Sequence, residues 1–230
     1  RNQVKTVPNE ATVEDYVRVI TNIAGQQPVT RVVGLDEFDV LTAARAREHL
    51  QIGDGMNNSY ALRFRDKLRM RNLASELGIP CPQFVGVFNE KEINRYLDNA
   101  PGPWIVKPRT EVSAFGIRKC ETREQVWRVL NELDNRHTWR DHPSQFLIEQ
   151  FIEGKVFHVD SVVADGKVAA AGVSAYGTTP MAVSHQGGVF TTAILPYKSK
   201  ERKALEKLNK QLLKGFEYER GVSHAEFLQS

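Results

Sequence analysis

Residues 146–176 read FLIEQFIEGKVFHVDSVVADGKVAAAGVSAY, and this stretch decides the fold class. Phe146 to Ile152 is a short, mostly apolar run of the kind that forms a buried strand, and Gly154 ends it. Val156 to Ala164 and Lys167 to Tyr176 are two further strands, joined by Asp165-Gly166, a dipeptide that suits a two-residue hairpin turn. A hairpin makes the pairing antiparallel. Alternation along its first arm sets Val156, His158 and Asp160 on one face of the sheet.

Working upstream, Trp104-Ile105-Val106-Lys107 is an internal strand ending on a lysine and Pro108. Arg109 to Gly116 is a loop, Ile117 to Cys120 a strand, and Thr122 with Gln125 forms a capping box that opens a helix to about residue 136. Before them stand a strand over 83–88, a helix over 90–99 and the Pro101-Gly102-Pro103 turn. Met70, Leu73, Ala74 and Leu77 give the segment 66–77 a helical face, with Lys67 and Arg71 together on one side and Gly78, Pro80 and Pro82 as stops.

Downstream, residues 177–188 read as a loop too long for a plain connection, followed by a strand near 189–195, a Lys-rich helix over 199–214 and a last strand from Val222. The first 55 residues predict a helix from Thr12 to Gly25, a strand at Arg31 to Leu35, and an Ala-rich helix over 37–50 before the turn at Gly53-Asp54-Gly55. That order is a partial α/β layer ahead of an α+β body. Because the chain starts without Met and stops within a strand-like run at Ser230, truncation at both ends is expected.

Composition sets the bounds. With 230 residues, 41% of them hydrophobic, the chain can bury a core of one compound domain or two small ones. A net charge of +3, from 31 basic and 28 acidic residues, makes no case for nucleic acid. No apolar run suits a bilayer span or a signal peptide, so neither a membrane nor a nucleic-acid partner is expected, and a cytoplasmic location is the default. Cys81 and Cys120 stand far apart and read as core residues. A homodimer is compatible with this composition.

Neither a G-x-x-x-x-G-K-[ST] loop nor a G-x-G-x-x-G after a strand occurs, so phosphate must be held in another way. Lysines at strand ends, amides of a small-residue loop and a carboxylate-bound Mg²⁺ can do it. The order of segments resembles such a family. Asp66-Lys67 with Met70-Arg71 and Gly78-Ile79-Pro80, then Trp104 to Pro108 with Ser113-Ala114-Phe115-Gly116-Ile117, then Phe146 to Gly154, then Gly221-Val222-Ser223-His224-Ala225-Glu226-Phe227 resemble four successive segments of ATP-grasp enzymes. The resemblance covers about residues 55–230 and implies an α+β fold of two subdomains that grip ATP. It divides the chain into a remnant at 1–55 and an ATP-grasp domain at 56–230, with a central part at about 83–150 and an antiparallel-sheet part at about 151–230.

The resemblance further implies roles residue by residue. Lys67 and Lys107 contact the α- and β-phosphates; Ser113, Ala114 and Gly116 cover them with backbone amides; Glu149 accepts the adenine amino proton while backbone groups of Gln150 and Ile152 read the ring edge beside Phe151. Where many members carry a ribose-binding glutamate this chain has Val156, and Asp160 on the same face is the expected substitute, with a purely structural Asp equally open. Glu226 is the expected Mg²⁺ ligand. The implied activity is ADP-forming ligation of a carboxylate to an amine or thiol through an acyl phosphate, without a nucleophilic side chain and with no catalytic acid or base assigned. Val33 to Glu37 and Ala43 to Arg47 look most like the amino-acid ligase branch, so the partners expected are ATP and a small carboxylic acid with an amine, amino acids among them. A bicarbonate-using carboxylase or carbamoyl-phosphate activity, and a nucleotide-binding regulatory module without turnover, are the alternatives.

Overall fold

A computed structural model describes residues 4–112, 114, 116–135 and 145–230, and divides the chain into two compact units meeting at Asp66 and Lys67. The first unit is helical among its described residues: α1 (Val13–Ala24), α2 (Asp39–His49) and α3 (Asn58–Arg65). Thr12 and Asp15 exchange side-chain and backbone bonds in a full capping box at the start of α1. Helix α2 packs against both α1 and α3, burying Ala43, Ala44 and Ala46 with Ala61. The strand expected at Arg31 to Leu35 is not formed, and the α/β reading of this part is corrected accordingly. An apolar pentapeptide becomes a strand only with a partner ladder. Here the buried Arg47 guanidinium takes the Val32 carbonyl at 2.6 Å and the Met56 carbonyl at 2.8 Å instead.

The second unit carries two four-stranded antiparallel sheets. The first has the order β1-β4-β2-β3, from β1 (Phe84–Gly86), β2 (Trp104–Pro108), β3 (Arg118–Cys120) and β4 (Phe146–Gln150). Its apolar face, with Trp104, Val106, Cys120, Phe146 and Ile148, packs on Ile93 and Leu97 of α5 (Glu90–Asn99) and on Val126 and Leu130 of α6 (Arg123–Asn135). Two-residue alternation then turns Ile105, Lys107, Leu147 and Glu149 to the opposite face. Helix α4 (Lys67–Glu76) contacts β1.

The second sheet has the order β7-β6-β5-β8, with β5 (Lys155–Ala164), β6 (Lys167–Tyr176), β7 (Thr192–Ile194) and β8 (Gly221–Gln229). The predicted hairpin turn is present, with Asp165 and Gly166 at positive φ of 50° and 70°. One face buries Phe157, Val159, Val163 and Val173 beneath α8 (Lys200–Gly215), where Asn209 Nδ2 donates to Ser161 Oγ at 2.8 Å. Gly154 is required where the chain enters β5: a Cβ there would stand 2.1 Å from the Gln229 carbonyl oxygen. A seventh helix, α7 (Pro180–Gln186), lies within the segment expected to be a loop. No helix among the described residues is long and apolar enough to cross a membrane.

Candidate functional site

The register of β2 against β4 explains the first group of functional side chains. Ile105 pairs with Glu149 and Lys107 with Leu147, so Lys107 and Glu149 are diagonal neighbours on the face away from the α5 and α6 core. Their side chains form an ion pair and hydrogen bond, with Lys107 only 8% and Glu149 only 6% exposed. Arg71 Nε of α4 donates to the second Glu149 oxygen at 3.0 Å. Burial works to raise the Glu149 carboxyl, but the charges and hydrogen bonds of Lys107 and Arg71 outweigh it and hold the group below its ordinary value. Burial lowers the Lys107 ammonium, and the Glu149 charge opposes that effect.

The carboxylate of Glu149, the residue expected to meet the adenine amino group, bridges two cations within the chain. Removing its charge exposes the consequence in acid. A carboxyl depressed in the folded state contributes stability that is present above its ordinary value of 4.5 and lost as pH falls through the folded value. The urea midpoint of the native chain is therefore expected to fall more steeply than that of Glu149→Gln, which has no proton to take up, as the pH drops below 4.5. Parallel slopes in the two proteins would show that Glu149 is not held ionised by its neighbours.

At the end of β4 the amides of Gln150 and Phe151 donate to Gln83 and Pro103 carbonyls at 2.9 Å each. Their N–H groups are committed to the sheet, whereas the Ile152 amide takes no backbone partner among the described residues. Lys119 Nζ lies 4.4 Å from the centre of the Phe151 ring. Lys67 opens α4; its amide donates to the Arg109 carbonyl at 2.9 Å and its ammonium to the Glu111 carbonyl, which ties it to the loop after β2. In that loop Ala114 and Gly116 both have positive φ, 59° and 72°. A Cβ on Gly116 would meet Pro108 Cγ at 2.9 Å, so the loop returns against the strand that carries Lys107. A non-glycine residue in the left-handed region is costly and concentrates at functional loops. Ser113, and Phe115 beside it, lie outside the described residues.

The second group lies on the open face of β5 to β8. Asp160 pairs with His224 and His158 with Glu226 across β5 and β8, which brings all four onto one face. His158 Nδ1 and His224 Nδ1 each stand 2.7 Å from a different oxygen of Asp160. Asp160 is thus engaged once at each oxygen, and each oxygen keeps a second lone pair for a hydroxyl such as the expected ribose contact. His224 Nε2 is 3.9 Å from Glu226 Oε1 and 3.5 Å from the Tyr176 hydroxyl. The Glu226 carboxylate raises His224 to about 9, against the opposing effect of burial and with help from Asp160. Burial would raise Glu226, but His224 and Tyr176 hold it low. The charge of Glu226 also acts on Lys107, more weakly than those of Glu149 and Arg71.

Sequence reasoning left out Arg71, His158, Tyr176 and His224 as site members, and with them Thr192, whose Oγ1 lies 2.7 Å from His158 Nε2. Arg71 was legible as a residue one helical turn from Lys67. The others needed the β5–β8 and β6–β7 registers, which no local pattern supplies.

A model of the ATP-grasp domain matches residues 100–230. Among curated proteins, the chain is 33% identical over 115 residues to a D-alanine–D-alanine ligase of Hydrogenovibrio crunogenus, covering 50% of this chain and 34% of that protein. It is 24% identical over 206 residues to an L-arginine-specific L-amino acid ligase of Bacillus subtilis, covering 88% of this chain and 48% of that protein. Its fold is similar to the crystal structure of an L-amino acid ligase from Bacillus licheniformis, with a TM-score of 0.74 at 20% identity, over 96% of this chain and 51% of that one. The chain thus spans about half the length of these relatives or less.

Proposed function

The chain belongs to the ATP-grasp family, and from that premise we propose that it is the nucleotide-binding core of an ADP-forming ligase that joins a carboxylic acid to an amine. The observation that carries the reading is a buried lysine, Lys107, held at the end of β2 by Glu149 and Arg71. A fixed cation of this kind suits a phosphate, and the half-exposed carboxylate of Glu226 on the second sheet suits the metal that accompanies a triphosphate. The amino-acid ligases among the relatives support amino acids as the acid and the amine.

In this reading the γ-phosphoryl group passes in line to the substrate carboxylate, giving an acyl phosphate and ADP; the amine then attacks the acyl carbon and phosphate leaves. Lys107 and Lys67 offset charge on the phosphates, and Glu149 with Arg71 fixes the Lys107 ammonium in place. Amides around Ala114 and Gly116 approach phosphate oxygens and exclude water from the acyl phosphate. Backbone groups of Gln150 and Ile152 face the adenine edge.

Mg²⁺ fits the donor chemistry of Glu226, whose carboxylate supplies hard oxygen ligands on the half-exposed face. When bound it would neutralise phosphate charge and help orient the triphosphate.

The reading is tested by ADP release from ATP in the native gene product, with amino acids supplied singly and in pairs. Release that requires an acid and an amine together, with a new amide in the products, is expected. Release with bicarbonate alone would move the activity to a carboxylase, and ATP binding without release under any of these conditions would leave a regulatory module.

A further inference from the structure

One cluster on the second sheet takes no part in the phosphoryl transfer described above, although Asp160 within it is also the expected ribose contact. His158, Asp160 and His224 each offer a ligand atom, and these atoms lie within 4.8 Å of one another. We propose that His158, Asp160 and His224 form a site for a borderline divalent cation of the Zn²⁺ class, separate from the Mg²⁺ of the nucleotide.

The argument rests on which nitrogens face inward. Both imidazoles turn Nδ1 to the Asp160 carboxylate, at 2.7 Å from Oδ2 and Oδ1 respectively. Each holds its other nitrogen outward: His158 Nε2 lies 2.7 Å from Thr192 Oγ1, and His224 Nε2 faces Glu226 at 3.9 Å and Tyr176 at 3.5 Å. This is the arrangement of metal-bound histidines, whose second N–H is fixed by a hydroxyl or carboxylate so that the inner lone pair is presented to the ion. In the free protein the two Nδ1–H groups donate to Asp160; a bound cation takes the place of those protons, with Nε2–H of each ring turned outward, so that two Nδ1 lone pairs and the carboxylate converge on it.

The donor set also selects the ion. Two imidazole nitrogens and one carboxylate suit Zn²⁺, Co²⁺ or Ni²⁺, whereas Mg²⁺ prefers oxygen and keeps its waters. The support is rigid for a surface site. His158 is 7% exposed, the three residues sit on two strands paired along nine positions, and the His158 ring packs 5.0 Å from the His224 ring and 4.9 Å from that of Tyr176. A bound ion would cross-link β5 to β8 directly behind Glu226.

Cobalt(II) titration of the 230-residue chain without nucleotide tests the site apart from the ligase reading. Expected are d–d absorption bands saturating at one equivalent, displaced by Zn²⁺ and not by excess Mg²⁺, and a higher Tm with Zn²⁺ than with EDTA. His158→Gln and His224→Gln should each weaken Co²⁺ binding by about tenfold or more, and Thr192→Val, on an exposed residue outside the ligand set, by a smaller factor. Asp160→Asn, which keeps the side-chain shape, serves if a histidine variant fails to fold. Absence of the bands, bands unchanged in all of these variants, displacement by Mg²⁺, or a thiolate-to-cobalt band from Cys81 or Cys120 would each overturn the assignment.

Discussion

Replacing Lys107 with methionine is expected to weaken ATP binding tenfold or more and, at the same time, to destabilise the unliganded protein. The first effect follows from losing one charge-assisted phosphate contact, about 1.5–3 kcal/mol, where about 1.4 kcal/mol is a factor of ten. The second follows from the register of β2 and β4. Glu149 is nearly inaccessible to water, and without Lys107 it keeps only Arg71, so a buried carboxylate is left half compensated. Breaking such a pair from one side costs about 3–5 kcal/mol, and the remaining Arg71 bond places this case toward the low end.

The two effects separate in a double variant. Lys107→Met with Glu149→Gln removes both buried charges, so its urea midpoint should lie above that of Lys107→Met alone, while ATP affinity stays low in both. Calorimetric titration with ATP beside urea unfolding makes the comparison. Native affinity in the folded double variant would take Lys107 out of the nucleotide site and leave it a structural residue.

How far these side chains were legible depends on the kind of signal that places them. The end of β2 was readable because a continuous apolar run closing on lysine and proline marks an internal strand whose last residue emerges. That Lys107 meets Glu149 was not, since diagonal contact is a property of register between segments forty residues apart, and the apolar runs fit several registers equally. In the same way, alternation put His158 and Asp160 on one face and Glu226 on an exposed strand, but only pairing of β5 with β8 sets His224 against Asp160.

The misses in secondary structure have local causes. Arg31 to Leu35 has strand composition, yet its Val32 carbonyl is satisfied by a buried guanidinium fifteen residues away. Helices α3 and α7 are short and weakly periodic, and their caps carried the usable signal: Asn57 accepting from the Tyr60 amide, and Thr179 accepting from the Ala182 amide ahead of Pro180 at the first helical positions.

Glu226→Gln is expected to remove most of the advantage that Mg²⁺ gives to ATP binding, while binding of ATP in EDTA survives. ATP stabilises a folded protein in proportion to the logarithm of its concentration over Kd, so the rise in Tm at fixed ATP reports affinity with and without the metal. Glutamine keeps the shape of the side chain and deletes the charge. Loss of a supporting ligand commonly lowers metal affinity about 10–100-fold, and the Mg²⁺-dependent part of the Tm rise should shrink accordingly. In the proposed reading bare ATP rests on Lys67 and Lys107, both of which the substitution leaves in place. Asp165→Asn is the control, because that carboxylate sits in the exposed hairpin turn paired with Arg220 at 2.8 Å. Equal Mg²⁺ dependence in native and Glu226→Gln proteins would remove Glu226 from the metal, whereas equal loss in Asp165→Asn would mean that the change reports overall charge instead of a ligand.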